Sequence, residues 1–526
     1  MVSTVLLAVS PADAVWTKLF GQGDTPTSDA AFPGSAEATA FDQMRSNGLR
    51  DIQVSANGNY VGAVTTNKFV PFGQEAWYHV GSKDGGQTFE ALRREATFPD
   101  GVQIDLSSNV AIDDTGSLFY VAELGSTGTP NSLWRDSQLF LTQGDAITAG
   151  PLSGNVFLNF TQLWQSPGGV EYWLSEYAAT AGASDADGKA LFRGLGTQQV
   201  LLQSGDSIGA GLFAEPELND FANLEFSPLG TNYLTRIKVI PTDPDDALDP
   251  DKARDMAAVL NGQVISVTGG GILREGDAIP AAAGGLPNEV WSPGSLNAVN
   301  EAGDWIISAS AWDSSQPDTN TDADFLVMNG SILHRDGDIV DGRRLVGLPS
   351  SVSLNESGDL AFVWGTEDPN ETNPPELDAL FLNGEIVLIE GDLIETDGNG
   401  FEDLPLLNIF NATLTDIDLP NGDPLLYFEA RLPGSVEFLG RNTISLVAGD
   451  YNGDGRVSLA DYSVWRDTRG STEFLAADGN NDSVVDDDDY NVWVNAMLAQ
   501  SSVSVPEPAV SALGLLGLAA MAFRRH

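Results

Sequence analysis

The chain has 526 residues, with 75 Asp and Glu against 25 Lys and Arg, a formal charge of −50 and no cysteine. Such a surface repels phosphate, which argues against nucleic acid and against a direct grip on anionic lipid as partners. Disulfides are excluded, so stability must come from burial, metal or repetition. The 56 glycines and 27 prolines, with few long apolar helical stripes before residue 450, predict many short strands and turns.

Residues 1–14 carry a short apolar stretch, Val5 to Val9, followed by Ala12-Asp13-Ala14. That order fits a small-x-small cleavage site, although no Lys or Arg precedes the stretch. The segment therefore reads as a truncated signal peptide.

Residues 15–447 form a repeat region. One unit is an apolar pair, a polar turn ending in Gly, and a second apolar strand. Its clearest copies are Asn300-Glu-Ala-Gly303-Asp-Trp305-Ile306-Ile307 and Asn355-Glu-Ser-Gly358-Asp-Leu-Ala361-Phe362. Looser copies read Ser55-Ala-Asn-Gly58, Asp113-Asp-Thr-Gly116, Gln165-Ser-Pro-Gly168 and Ser227-Pro-Leu-Gly230, and a last one near Asp418 to Tyr427 contains Asn421-Gly422. A second unit holds Asn329-Gly330 or Asn383-Gly384 and ends in Gly-Asp, as at Gly337-Asp338 and Gly391-Asp392; Gly144-Asp145, Gly205-Asp206 and Gly276-Asp277 end earlier versions. Asn, Asp and Gly suit tight hairpins because they tolerate positive φ. Two hairpin signals per period mean about four strands, and one such sheet buries both faces only by stacking on its neighbours. The Asn355 to Phe362 pattern resembles the NxxGxxAF tandem repeats of bacterial surface proteins. Repeated four-stranded units predict a seven-bladed β-propeller, with a pair of β-sandwiches as runner-up.

Chemistry within this region is sparse. Ser82-Lys-Asp84-Gly85-Gly86-Gln-Thr88-Phe89 resembles an Asp-box of the kind found in sialidases and other propellers, where it closes hairpins away from the active site. The three histidines are His79, His334 and His526, too few for a His-rich metal site. The pairs Arg93-Arg94 and Arg343-Arg344 cannot be brought together by sequence reasoning. No catalytic residue is assigned.

Residues 448–499 repeat one acidic loop at a spacing of 28. The first copy places Asp450, Asn452, Asp454, Arg456, Ser458 and Asp461 at positions 1, 3, 5, 7, 9 and 12. The second places Asp478, Asn480, Asp482, Val484, Asp486 and Asp489 there. A hard cation takes six to eight oxygens from a tightly turned loop, with a backbone carbonyl at position 7. Each copy continues into Asp-Tyr-x-Val-Trp, with Tyr462, Trp465, Tyr490 and Trp493 at helical intervals. The pair resembles a type I dockerin, an EF-hand-like module with Asp at position 12, and implies two Ca²⁺ sites. Cohesin recognition by dockerins uses a Ser-Thr pair at positions 10 and 11. Leu459-Ala460 and Asp487-Asp488 stand there instead, which makes cohesin a doubtful partner.

Residues 500–526 contain Val505-Pro506-Glu507-Pro508, an uncharged run from Ala509 to Phe523, and Arg524-Arg525. This order resembles a PEP-CTERM sorting tail, the substrate of an exosortase-type processing enzyme. A helix over that run is short of a hydrocarbon core about 30 Å thick. The implied location is the cell envelope or extracellular matrix of a Gram-negative-type bacterium, with transient inner-membrane anchoring through the tail alone.

The expectation is thus a mainly β propeller, a small α-helical dockerin-like pair and a hydrophobic sorting helix. Its expected role is non-catalytic and envelope-associated, binding an extracellular polysaccharide or a surface protein. The alternative is a secreted, glycoside hydrolase-like enzyme recruited through its dockerin-like module. Two carboxylates about 5 to 10 Å apart among aromatics in the central funnel would favour the hydrolase.

Overall fold

A computed structural model describes residues 14–21, 41–44, 53–55, 61–67, 77–82, 90–94, 96–97, 103–124, 131–136, 138–148, 150–208, 217–239, 255–315, 323–396, 404–419 and 423–444. Beyond these it describes 449, 451, 457, 459–471, 477, 479 and 484–501. Two compact units emerge. The larger holds Trp16–Asp418 and Pro424–Asn442, and the smaller holds Met1–Val15, Leu419–Asp423 and Thr443–His526.

The larger unit is a β-propeller of antiparallel sheets. Four-stranded sheets cover 156–203, 218–264 and 289–335, each ordered as a meander, and sheets 96–142 and 339–389 add a short fifth strand. The closing sheet joins Ala14–Gly21 to Val436–Ile444, Pro424–Leu432 and Asn408–Asp418. It mixes chain-start and chain-end strands in one ladder. Separate sheets in series exclude the pair of sandwiches.

The four sheets from 156 to 389 are apolar on both faces because each is sandwiched between two others. Strand Leu360–Glu367 shows the rule. Ala361 and Val363 enter a cluster with Leu426 and Phe428, while the alternate Phe362 and Trp364 enter one with Ile306 and Leu326. Successive side chains point to opposite faces, so a strand buried on both reads as a continuous apolar run. Tyr172 and Trp173 split likewise between the clusters built around Phe221 and Phe119. Six consecutive sheets are joined in this way by five described clusters, where the turn signals had predicted seven blades. The difference is the 41–94 sheet. Its strands are described by backbone pairing, and most of its side chains lie outside the described residues.

Three turn signals keep the sheets in register. The polar turn joins the first and second strands. Asn300 Oδ1 accepts the N–H of Asp304 (2.9 Å), and Asn355 Oδ1 that of Asp359 (2.8 Å). Asp113 Oδ1 and Ser166 Oγ cap their own turns in the same way, at Ser117 N and Val170 N. Gly303 and Gly358 follow at φ +85° and +86°, a left-handed conformation that costs any other residue its Cβ clearance. The third copy needs a correction of register. It runs from Ser166 to Gly169, not to Gly168, because Gly169 takes the positive φ and donates to Ser166 O. The Asn-Gly turn joins the third and fourth strands. Asn329 and Asn383 have φ near +50°, and their side chains accept the N–H of Trp305 and of Leu360 at the start of the second strand. The Gly-Asp pair is the crossover between sheets. Gly144 N–H donates to Phe157 O and Phe157 N–H returns to Asp145 O; Gly337 and Asp338 pair likewise with Leu345.

In the smaller unit, helices α1 (Leu459–Thr468) and α2 (Asp487–Ser501) pack Tyr462, Trp465, Tyr490 and Trp493 together. Ring centroids lie 4.9 Å apart for Trp465 and Tyr490, and 5.4 Å for Tyr462 and Trp493. Tyr451, Val457, Ala477 and Val485 complete this core. Among the described residues, no helix is long and apolar enough to cross a membrane. The expected signal peptide (1–14, apart from Ala14) and the sorting segment from Val505 to Arg525 lie outside the described residues.

Candidate functional site

A cavity of about 190 Å³ is walled by the first long strand of six sheets and by Val54 and Ser55 of the 41–94 sheet. The residue just before each polar turn reaches its wall, from Ile112 through Phe226 to Leu414. The polar share of the wall is mostly amide and hydroxyl: Asn297, Asn355, Asn411, Ser353 and Thr413. Two carboxylates, Glu225 and Asp416, and two aromatics, Trp164 and Phe226, complete its chemistry. Glu225 stands on strand Leu218–Phe226 and Asp416 on strand Asn408–Asp418, with sheets 289–335 and 339–389 between them in chain order. No Lys, Arg or His lines the cavity among the described residues.

The polar turns follow these strands as a rim that reaches the cavity at Pro167, Pro228, Asn355 and Asp416, and they lock together in one direction. Leu229 N–H donates to Glu301 Oε1 (2.5 Å), and Glu301 N–H donates to both oxygens of Glu356 (2.9 and 3.0 Å). Glu356 N–H donates in turn to Asp416 Oδ1 (2.8 Å). Beneath them Asn232 Nδ2 donates to Asn300 O, Asn300 Nδ2 to Asn355 O, and Asn355 Nδ2 to Thr415 O. Thr415-Asp416 therefore takes the place that Asn300-Glu301 and Asn355-Glu356 hold in their sheets. The sequence points instead to a last copy near Asp418 to Tyr427, whose Asn421-Gly422 lies outside the described residues. The signal that could have found Thr415-Asp416 was the apolar Leu414 before it, not a glycine after it.

Burial is the main cause that pushes the carboxyls of Glu356 and Asp416 above their ordinary range, against the backbone N–H each accepts. The charges of neighbouring rim carboxylates, with Asp114 among those acting on Asp416, push the same way. The rim is thus a place where negative charges face one another. Arg135, the base beside the Asp113 turn, is already engaged by Asp113 (3.2 Å) and Glu171 (2.7 Å).

His334, Arg343 and Ser82 do not line the cavity. His334 is on the edge strand Ser331–Arg335, its ring 5.3 Å from that of Phe362, and burial lowers its pKa. Arg343 bonds Thr366. The Asp-box has Ser82 fully buried at a strand end, and its remaining residues are outside the described set.

Of the twelve calcium-loop positions, Asp450, Asn452, Asp454, Arg456, Ser458, Asp478, Asn480 and Asp482 lie outside the described residues. Asp461, Val484, Asp486 and Asp489 are described. Asp461 and Asp489 are both 0% exposed. Asp461 Oδ1 accepts the N–H of Tyr451 (2.9 Å), and Asp489 Oδ2 that of Asp486 (2.6 Å). Two carboxylates inside so small a core are costly unless a cation or several donors compensate them. That chemistry fits the two position-12 ligands of a calcium pair.

No family model matches the chain, and no curated protein matches it. Among solved structures, a polysaccharide lyase of the ulvan lyase type is similar at TM-score 0.34 and 9% identity, over 75% of this chain and 94% of that one. An α-L-arabinofuranosidase of Fusarium graminearum is similar at 0.28 and 10%, over 82% and 98%. PorZ, a surface component of the type-IX secretion system of Porphyromonas gingivalis, is similar at 0.36 and 13%, over 80% and 50%. The propeller assignment rests on the sheet order itself.

Proposed function

We propose that the chain is an exported, envelope-associated, non-catalytic binding protein whose propeller holds an extracellular ligand, a polysaccharide or a surface protein, in its central cavity. The observation that carries this reading is the wall of that cavity, where amides and hydroxyls from several sheets converge between apolar side chains. Concave, partly apolar sites with a few placed polar groups are where ligands bind. Calcium held by the Asp450–Asp461 and Asp478–Asp489 loops stabilises a dockerin-like helical pair, a role supported by the burial of Asp461 and Asp489. The C-terminal tail directs the chain to an exosortase-type enzyme and holds it at the inner membrane until it is cut.

The test is a panel of purified polysaccharides offered to the whole chain, with retention and release of new reducing ends scored together. Retention without cleavage supports the reading, and cleavage by the parent chain refutes it. A second reading has its own observation: Glu225 and Asp416 share the cavity with Trp164 and Phe226, as a carbohydrate-active hydrolase would require. Cleavage that disappears in Glu225→Gln and in Asp416→Asn would establish that reading.

A further inference from the structure

The residue just before each polar turn contributes to the cavity wall. Six of these positions are apolar: Val54, Ile112, Phe226, Val299, Leu354 and Leu414. The seventh is Gln165. Gln165 is 5% exposed. Its Nε2 donates to Asp113 Oδ2 at 3.4 Å, and its Oε1 has no hydrogen-bond partner among the described residues. A buried amide oxygen without a donor destabilises a fold, and a leucine would complete the apolar collar. Breaches of local consistency of this kind gather at functional positions.

Two residues further along each turn is the rim. Asp114, Glu301, Glu356 and Asp416 hold that place in four sheets, and prolines hold it in two, Pro167 and Pro228. No base occupies any of the six positions. The collar and the rim thus lack the same thing. Both present acceptors, and the rim adds negative charge that an anionic ligand would meet at the entrance.

We propose that the central cavity is a site for an ammonium-bearing sugar, an amino-sugar unit of an extracellular polysaccharide. Its charge lies among the rim carboxylates, and one of its O–H or N–H donors meets Gln165. This inference rests on the ligand-binding reading above and names the ligand's class. Uronate and sulfated sugars are excluded by the same field.

Calorimetry on the whole chain at mildly acidic pH, where the amine is protonated, tests it with three tetrasaccharides: glucosamine, N-acetylglucosamine and galacturonate. The amine form is expected to bind, the acetylated form to bind at least about tenfold more weakly, and the uronate not to bind. Added salt should weaken the amine form alone. Glu301→Gln, Glu356→Gln and Asp416→Asn combined should bring the amine form down to the affinity of the acetylated one. Gln165→Leu should weaken both amine and acetylated forms while raising the melting temperature, which separates lost recognition from lost folding. Equal affinity for amine and acetylated forms overturns the ammonium inference and leaves the sugar-binding reading standing. Binding of no sugar in the panel or the trio overturns both. Unchanged binding by Gln165→Leu removes that residue from the site.

Discussion

Glu275→Gln should make the propeller more stable, and by an amount that depends on pH. Glu275 is 0% exposed and Asp255 is 1% exposed. Burial, then the hydrogen bond to Asp255 and that residue's charge, raise the Glu275 carboxyl from 4.5 to about 8. Lys238 Nζ stands 3.1 Å from Asp255 Oδ2. Arg236, its own pKa lowered by burial, also senses Glu275. Below pH 4.5 the proton is bound in both folded and unfolded chains, and Glu275 contributes nothing to the pH dependence. Between 4.5 and about 8 the unfolded chain has released the proton and the folded chain retains it. Stability therefore falls as pH rises through that window, by about 1.4 kcal/mol per pH unit, towards a total of about 5 kcal/mol. Glutamine keeps the shape and an N–H donor for Asp255 but carries no proton to release. Urea midpoints of parent and variant, followed by tryptophan fluorescence from pH 5 to pH 8, should diverge steadily, with the variant ahead at the alkaline end. Asp255→Asn should also flatten the curve, by removing the charge that faces Glu275. A difference between Glu275→Gln and parent that stays constant across the window would refute the reasoning.

Asn355→Ala removes the cap at Asp359 N and the bond to Thr415 O; it should cost about 1–3 kcal/mol, read as a lower urea midpoint. Phe362→Ala, at a residue 0% exposed and stacked on Phe381 with centroids 4.6 Å apart, should cost about 3–5 kcal/mol, measured in the same way. Calorimetric titration of the metal-free chain with Ca²⁺ should show two binding events, and Asp461→Asn or Asp489→Asn should each remove one. A parent chain that takes up no calcium at millimolar metal would end the dockerin-like reading.

Much of the fold was legible because its turns obey local chemistry. Asn300, Gly303, Asn329 and Gly330 were readable as turn residues, since a side-chain cap and a positive φ depend on neighbours only a few positions away. The Gly-Asp pairs stood out as repeat ends. Their role as crossovers did not, because the partner carbonyl of Gly391 belongs to Leu406, on the approach to the next long strand. The same limit hid the rim. Glu301, Glu356 and Asp416 are 55 and 60 positions apart, and only the closed arrangement of sheets makes them neighbours. Gln165 looked like a turn residue in a misregistered motif, and nothing local marks it as the polar exception in an apolar layer. Asp255 and Glu275 read as two more acids among many, because burial is a property of the assembled sheet. At Asp461 and Asp489 the spacing pointed to position 12 of a loop, and both carboxylates are buried in the structure.

The closing sheet carries a consequence for how the molecule comes into being. Strand Ala14–Gly21 pairs with Val436–Ile444, and 415 positions separate Gly21 from Val436. Until the late strands emerge, the early one has no ladder to join, and the outer edge of the last sheet stays open. Contacts so distant along the chain are slow to form, and an unpaired edge invites pairing with other chains. A chain that stops short of Val436 cannot complete its circle. Its unpaired Ala14–Gly21 strand then distinguishes it from finished molecules to any protease or chaperone that recognises unpaired backbone, so this one ladder serves as a completeness check on the whole repeat array.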